Sequence, residues 1–385
     1  MKLLFASDSF KGTLSSEQTI ELLKKAAAEV FGKVECTGIP VADGGEGTTD
    51  AVIAAIQGEK IPVTVCGPLL EPVNAYYGKL DEKRAVLEMA AASGLPLLPR
   101  NLRDPRNTTT YGTGELIKDA LDRGFTDISI AIGGSATNDG GMGCMRALGV
   151  KFLDLEGREL EGTGKDLEHV AHIDISGLHP RAHQVKLTTM CDVNNPLCGK
   201  DGATYTFGKQ KGGSPQVLDE LEKGMENYRN VILREFGIDP DQMPGSGAAG
   251  GLGAALLVFL HAELKSGIET VLDLIDFDSR LEDVSLVVTG EGRTDWQSCF
   301  GKVMQGIGMR CKRKNIPAVA LVGAMGEGAE KICDFGISSI MTTVNGVMEL
   351  EKALENAEDL YYGGALRMFH FIKTGMAIQE KAAGV

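Results

Sequence analysis

The sequence predicts an α/β protein in which one domain is interrupted by a second, inserted α/β (α+β) domain. Three observations carry this. Short apolar strands alternate with helical stretches at both ends of the chain, glycine-rich turns follow the strands, and the middle has a different texture. A chain of 385 residues also exceeds the size at which single hydrophobic cores usually stop growing, so two lobes are expected.

The elements follow in order. Residues 2–6 make a short apolar strand, residues 7–13 a turn, and an amphipathic helix opens at Ser15 or Ser16. Residues 39–42 end a second strand and run into Asp43-Gly44-Gly45-Glu46-Gly47-Thr48, with a helix over 51–56, so that residues 1–66 read as βαβαβ. A punctuated segment, 67–72, leads to a hairpin through 75–89. Residues 127–132 form a strand that enters Gly133-Gly134-Ser135-Ala136-Thr137-Asn138-Asp139-Gly140-Gly141 before a helix over 142–148. Long helices are expected near 216–236 and 251–264. Strands at 285–289 and 318–322 then run into Gly290-Glu291-Gly292-Arg293 and Gly323-Ala324-Met325-Gly326-Glu327-Gly328. This order divides the chain into residues 1–67 plus 285–385 as one discontinuous domain and 68–284 as the inserted one, with the ligand site expected in the cleft between them.

Composition narrows the function. With 53 acidic and 39 basic residues the net charge is -14, a field that repels a phosphate backbone, so nucleic acid is not an expected partner. The longest apolar run, 254–260, is far short of the ~20 residues a spanning helix needs, and no membrane partner is expected. The eight cysteines form no CxxC pair, and MKLLFASDSFKG has no apolar export segment; a reducing, cytoplasmic setting is the expectation. Glycine, 50 of 385 residues, is about twice as frequent as the typical ~7%. Any one glycine cluster is explained by a tight turn. Several together at strand carboxyl ends, where loop amides and helix N-termini meet anions in open α/β sheets, point to an enzyme that handles phosphate.

Familiar nucleotide motifs do not supply the site. Gly245-Ser246-Gly247-Ala248-Ala249-Gly250 matches GxGxxG, but residues 237–244, with Pro240 and Pro244, cannot be the buried strand that a dinucleotide fold requires. Phosphate contact by this loop and close helix packing both remain open readings of its glycines. Phe300-Gly301-Lys302-Val303 lacks the leading glycine and the hydroxyl of a Walker A loop. Protein-kinase triplets and a GxSxG elbow are missing, and His169, His172, His179 and His183 sit in polar surroundings that suit surface loops better than a metal.

The carboxylates say more. Asp8, Asp43, Glu46, Asp139, Asp192, Glu291 and Asp295 all stand at or just past strand ends, a donor set suited to Mg²⁺ shared with substrate phosphates. Cations lie close by in sequence: Lys11, Lys209, Lys211, Arg293 and Lys302. Phosphoryl transfer needs both, positive charge on the phosphate oxygens and a base near the attacking hydroxyl.

Taken together, Asp8-Ser9-Phe10-Lys11-Gly12, the 40–48 segment PVADGGEGT, Thr110-Tyr111-Gly112-Thr113-Gly114-Glu115-Leu116 and the 132–141 stretch IGGSATNDGG resemble the bacterial-type glycerate kinase family. Cys191-Asp192-Val193-Asn194-Asn195-Pro196-Leu197, the 207–212 and 244–253 loops, Gly290-Glu291-Gly292-Arg293, and Asp295, Gln297, Ser298, Gly301 and Lys302 extend the resemblance over nearly the whole chain. Lys209 stands where that family pattern carries proline, and Val303-Met304-Gln305 replaces Ala-Pro after Gly-Lys.

The resemblance implies a flavodoxin-like first domain and ATP-dependent, Mg²⁺-assisted phosphorylation of D-glycerate, leaning to the 2-phosphoglycerate product. On that basis Asp192 is the first candidate base and Asp43 the second, while Arg293 or Lys11 holds the glycerate carboxylate. Asp43, Glu46 and Glu291 position Mg²⁺, and Lys302 with the amides of Gly133, Gly134 and Ser135 offsets phosphate charge. Asp8, Gly44, Gly45, Asn138 and Asp295 complete the candidate binding set. ATP and D-glycerate are the expected small-molecule partners, and a homo-oligomer is left open. A kinase for another small hydroxy or sugar acid, and a non-catalytic two-lobed organic-acid sensor, are the alternative readings.

Overall fold

A computed structural model describes residues 1–10, 12–299 and 301–382, with the backbone alone at Gln297. The chain divides into two compact units, the first comprising 1–43, 54–56 and 267–385, the second 44–53 and 57–266.

The chain opens with β1 (Lys2–Phe5) and β2 (Glu35–Gly38), which pair in parallel. Leu3, Leu4 and Phe5 are wholly buried, the continuous apolar run of a strand covered on both faces. Between them the helix Ser16–Phe31 starts at a capping box in which Ser15 and Gln18 bond reciprocally, and Ile20, Leu23, Ala27 and Val30, three or four apart, bury one face.

The second unit contains β3 (Glu59–Cys66), β4 (Pro72–Lys79), β5 (Arg84–Glu88) and β6 (Asp127–Ala131), the small pair β7 (Lys151–Leu153) and β8 (His172–Asp174), then β9 (Lys186–Met190) and β10 (Glu263–Lys265). Its six-stranded sheet runs β10-β9-β6-β5-β4-β3, parallel from β10 to β5 and antiparallel from β5 to β3. The helices Tyr111–Asp122, Pro215–Phe236 and Leu252–Leu260 contribute to its core, where Tyr228 and Phe259 contact Phe152.

Back in the first unit are β11 (Leu286–Thr289), β12 (Arg293–Thr294), β13 (Ala318–Val322), β14 (Ala324–Met325) and β15 (Ile337–Thr342). The five-stranded sheet is ordered β2-β1-β11-β13-β15 and is parallel throughout. Counted in chain order within this sheet, that is 2-1-3-4-5, the flavodoxin-like arrangement, whose strand order reverses between β1 and β11. The long C-terminal helix, Ala357–Ala382, packs with Ser16–Phe31: the Phe369 ring lies 6.1 Å from that of Phe5 and 5.6 Å from that of Phe31.

Three local differences from the sequence reading have physical causes. The second strand ends at Gly38 rather than within 39–42, because β1, with which it pairs, ends at Phe5 opposite Gly38. β3 belongs to the second sheet, because the turn closed by the Gly67 N–H on the Glu71 carbonyl (2.6 Å) folds it back onto β4. The helix expected over 251–264 stops at Leu260, where His261 adopts φ 52°, and residues 263–265 pair with β9 instead. Among the described residues no helix is long and apolar enough to cross a membrane.

Candidate active site

In the first unit the turns after β1, β11 and β13, the last two glycine-rich, converge with residues 343–344 after β15 on a cavity of about 680 Å³ at the carboxyl ends of the strands. The reversal between β1 and β11 is the place where open α/β sheets bind ligands. Backbone contacts bring these turns together: the Asp8 N–H donates to the Gly290 carbonyl at 3.0 Å, and the Gly323 N–H to the Glu291 carbonyl at 3.1 Å. Glycine is needed here for closeness, since a Cβ at Gly290 would lie 1.9 Å from the Leu321 carbonyl oxygen.

One end of the cavity is charged, lined by Asp8, Asp43, Glu291, Arg293 and Lys302. The Asp8 carboxylate accepts the Ser9 N–H at 2.7 Å. Glu291 is buried and accepts the Ser298 hydroxyl. Burial pushes its pKa up; the Ser298 hydrogen bond and the Lys302 charge oppose this, and the Asp43 charge adds to it. Lys302 stands at the N-cap position of the helix Val303–Arg313, whose first amides add partial positive charge. Arg293 is largely exposed, with Nε 3.9 Å from Asp295 Oδ2, a loose pair that leaves the guanidinium able to grip a carboxylate. The other end is apolar, formed by Val344, Leu350, Ala353, Leu354, Ala357 and Leu360. Phe10 and Tyr361 make a wall, their rings edge-on at 5.1 Å. Lys11 lies outside the described residues.

The remaining candidates are in the second unit. Gly44 and Gly45 lie against Gly133, where a Cβ would meet the Gly45 Cα at 3.4 Å. Gly133 and Gly134 are exposed, while Ser135 and Asn138 are buried; Asn138 Nδ2 donates to Thr204 Oγ1 at 3.2 Å. Glu46 lines another hollow, of about 330 Å³, together with Asp50, Glu88 and Gly134. Asp192 is exposed just past β9. The GxGxxG glycines serve packing: a Cβ at Gly247 would lie 2.0 Å from the Pro196 carbonyl oxygen, and one at Gly250 2.0 Å from that of Thr137.

Asp139 is a strut rather than an exposed ligand. It is wholly buried and accepts the Thr110 N–H and hydroxyl at 2.7 and 2.8 Å and the Gly141 and Gly143 N–H groups at 3.1 and 3.2 Å. Sequence reading placed Lys211 among the cations near phosphate, where the structure buries it, and it did not single out the half-buried Glu88. Lys211 donates to the Thr137 carbonyl at 2.7 Å, and burial pushes its pKa down to about 7 against the pull of Asp139. Glu88 accepts the Gly47 and Thr49 N–H groups at 3.2 and 2.5 Å, tying down the start of the helix Thr48–Ile56. The only local signal for Glu88 was its place at the end of a strand. His172 bonds Glu235 at 2.8 Å and His179 bonds Asp122 at 3.1 Å, each a surface ion-pair position. Among the described residues no three or more His, Cys, Asp or Glu side chains are grouped to hold a metal ion by themselves.

Comparison with known proteins adds the following. Residues 3–373 match the model of the Glycerate kinase family. The chain is 43% identical over 385 residues to the glycerate 2-kinase of Escherichia coli (strain K12), covering 100% of both chains. It is 44% identical over 360 residues to the glycerate kinase of Bacillus subtilis (strain 168), covering 93% of this chain and 94% of that one. A solved structure from Salmonella typhimurium LT2, described as glycerate kinase 2, matches it with a TM-score of 0.88 at 40% identity, over 98% of this chain and 99% of that one.

Proposed function

The chain belongs to the glycerate kinase family, phosphotransferases acting on an alcohol group, and from that premise we propose that it transfers the γ-phosphoryl group of ATP to D-glycerate to give 2-phosphoglycerate. The observation that carries the reading is the 43% identity along the entire length of a protein named glycerate 2-kinase, a name that also supports the 2-position.

The residues are suited to the chemistry. Arg293, with Lys11 as the alternative, holds the glycerate carboxylate, which fixes which hydroxyl faces the phosphoryl group. Asp192, or in second place Asp43, takes the hydroxyl proton as the oxygen attacks phosphorus and ADP leaves. Lys302, the start of the helix Val303–Arg313 and the amides of the 133–135 turn offset charge on the phosphates. Gly44 and Gly45 support that turn from beneath.

Asp43 and Glu291 fit a divalent cation, since they line one cavity and the Asp43 charge makes ionised Glu291 harder to form. With fewer than three carboxylates grouped, Mg²⁺ would be completed by phosphate oxygens and water, and it would neutralise charge on the transferring group. Glu46, which lines the hollow of the second unit, is not proposed for this ion. The eight free thiols support a reducing, cytoplasmic setting.

The test is ADP release from Mg²⁺-ATP by the purified chain with and without D-glycerate, followed by ³¹P NMR of the product. Glycerate-dependent ADP and a 2-phosphoglycerate resonance are expected. A 3-phosphoglycerate resonance overturns the position, and a folded chain that binds glycerate without forming ADP overturns the activity.

A further inference from the structure

The cavity of the first unit has two chemically different ends, and the charged end alone does not account for it. A three-carbon acid is small against about 680 Å³, a volume in the range that encloses drug-sized ligands. The apolar end is also costly to leave in water. Leu350 and Leu354 are 73% and 49% exposed, and the helix that carries them, Leu350–Glu355, has no buried residue. Leu350, Ala353 and Leu354 fall three and four apart, so one face of that helix is apolar and is turned to the cavity they line. Met325, 46% exposed, faces the same space.

We propose that this apolar end takes the base of the adenine nucleotide, between the 350–354 face and the wall formed by Phe10 and Tyr361, with the phosphates running toward Lys302 and the start of the helix Val303–Arg313. The inference rests on the kinase reading above and assigns the donor nucleotide to the first unit. It follows from matching two polarities in one cavity. A flat, weakly polar base suits aliphatic and aromatic side chains, and a polyanion suits the lysine and a helix N-terminus at the carboxyl ends of the strands. Neither glycerate nor a free phosphate has an apolar part to cover Leu350 and Leu354.

The test uses the full chain and mant-ADP as the probe, titrated by fluorescence without glycerate, so that binding is read independently of turnover. Leu354→Glu and Leu350→Glu are at exposed positions, and Leu155→Glu, at a leucine 89% exposed in the second unit, is the control. Loss of the apolar contact and the added charge should weaken mant-ADP binding by about tenfold or more and raise the ATP KM in step, with the glycerate KM within about twofold. The Leu155→Glu control should bind as the parent does. Unchanged mant-ADP binding in both Glu variants, or a raised glycerate KM with an unchanged ATP KM, overturns the inference. Failure of the parent chain to form ADP with glycerate overturns the functional reading instead, while the mant-ADP titration still decides where the base sits.

Discussion

Lys211 offers a quantitative test of how the 133–141 turn is held. Its Nζ is wholly buried and donates to the Thr137 carbonyl, and burial pushes its pKa from 10.5 down to about 7. In the unfolded chain the amine keeps its proton to about 10.4. Between these two values the unfolded state binds one more proton than the folded state, so stability rises with pH across the window. Below the lower value both states are protonated and the slope vanishes. At about 1.4 kcal/mol per pH unit, the contribution from about pH 7 to about pH 9 is roughly 2 kcal/mol of added stability, after allowing for partial titration at the lower limit. Lys211→Met keeps the volume and removes the titration. Urea unfolding followed by circular dichroism at both pH values should therefore show a rise in the parent chain larger by roughly 2 kcal/mol than in the variant. Other titrating groups, the buried thiols among them, cancel in the difference. Lys211→Arg, which cannot lose its proton, should be destabilised at both pH values. Parallel pH dependences in parent and Met variant would refute a lysine held neutral, and with it this account of the turn.

Further outcomes follow from the site. Asp192→Asn should lower kcat by about 100-fold or more with an unchanged melting temperature, as loss of a general base does; near-parental turnover removes Asp192 from the reaction. Glu291→Gln should flatten the pH dependence of stability. The raised pKa of Glu291 means the folded state binds the extra proton above 4.5, so the parent loses stability as pH rises through the folded value, and melting scans across this range should show a smaller loss in the variant, since Glu88, Asp139 and Glu222 titrate the same way in both. The same variant should need more Mg²⁺ for half-maximal turnover. Gly290→Ala places a methyl 1.9 Å from the Leu321 carbonyl oxygen and should destabilise the chain by about 3 kcal/mol, read as a lowered urea midpoint. An unshifted midpoint would show that β11 and β13 can part at no cost.

Much of this protein was legible in its sequence because the signals are local. The apolar run Leu3-Leu4-Phe5, the Ser15–Gln18 capping box and the glycine turns after β1, β6, β11 and β13 are each set by a few adjacent residues, through strand burial, capping and turn chemistry. The ordered acid-and-glycine segments were enough to point to the family. What only tertiary structure decided is which of those segments share a space. Asp43 and Glu46 are three residues apart, yet Asp43 lines the cavity of the first unit and Glu46 a hollow of the second, because the chain passes from one unit to the other at Asp43 and Gly44. Lys209 and Lys211 read alike in sequence, but Lys209 is exposed and Lys211 is buried beneath Thr137, a contact 74 residues away. The wall of the first unit's cavity pairs Phe10 with Tyr361 from opposite ends of the chain. Local propensity has no term for such pairings. They are settled by how the parallel sheet orders its strands and by which helix faces remain to cover it.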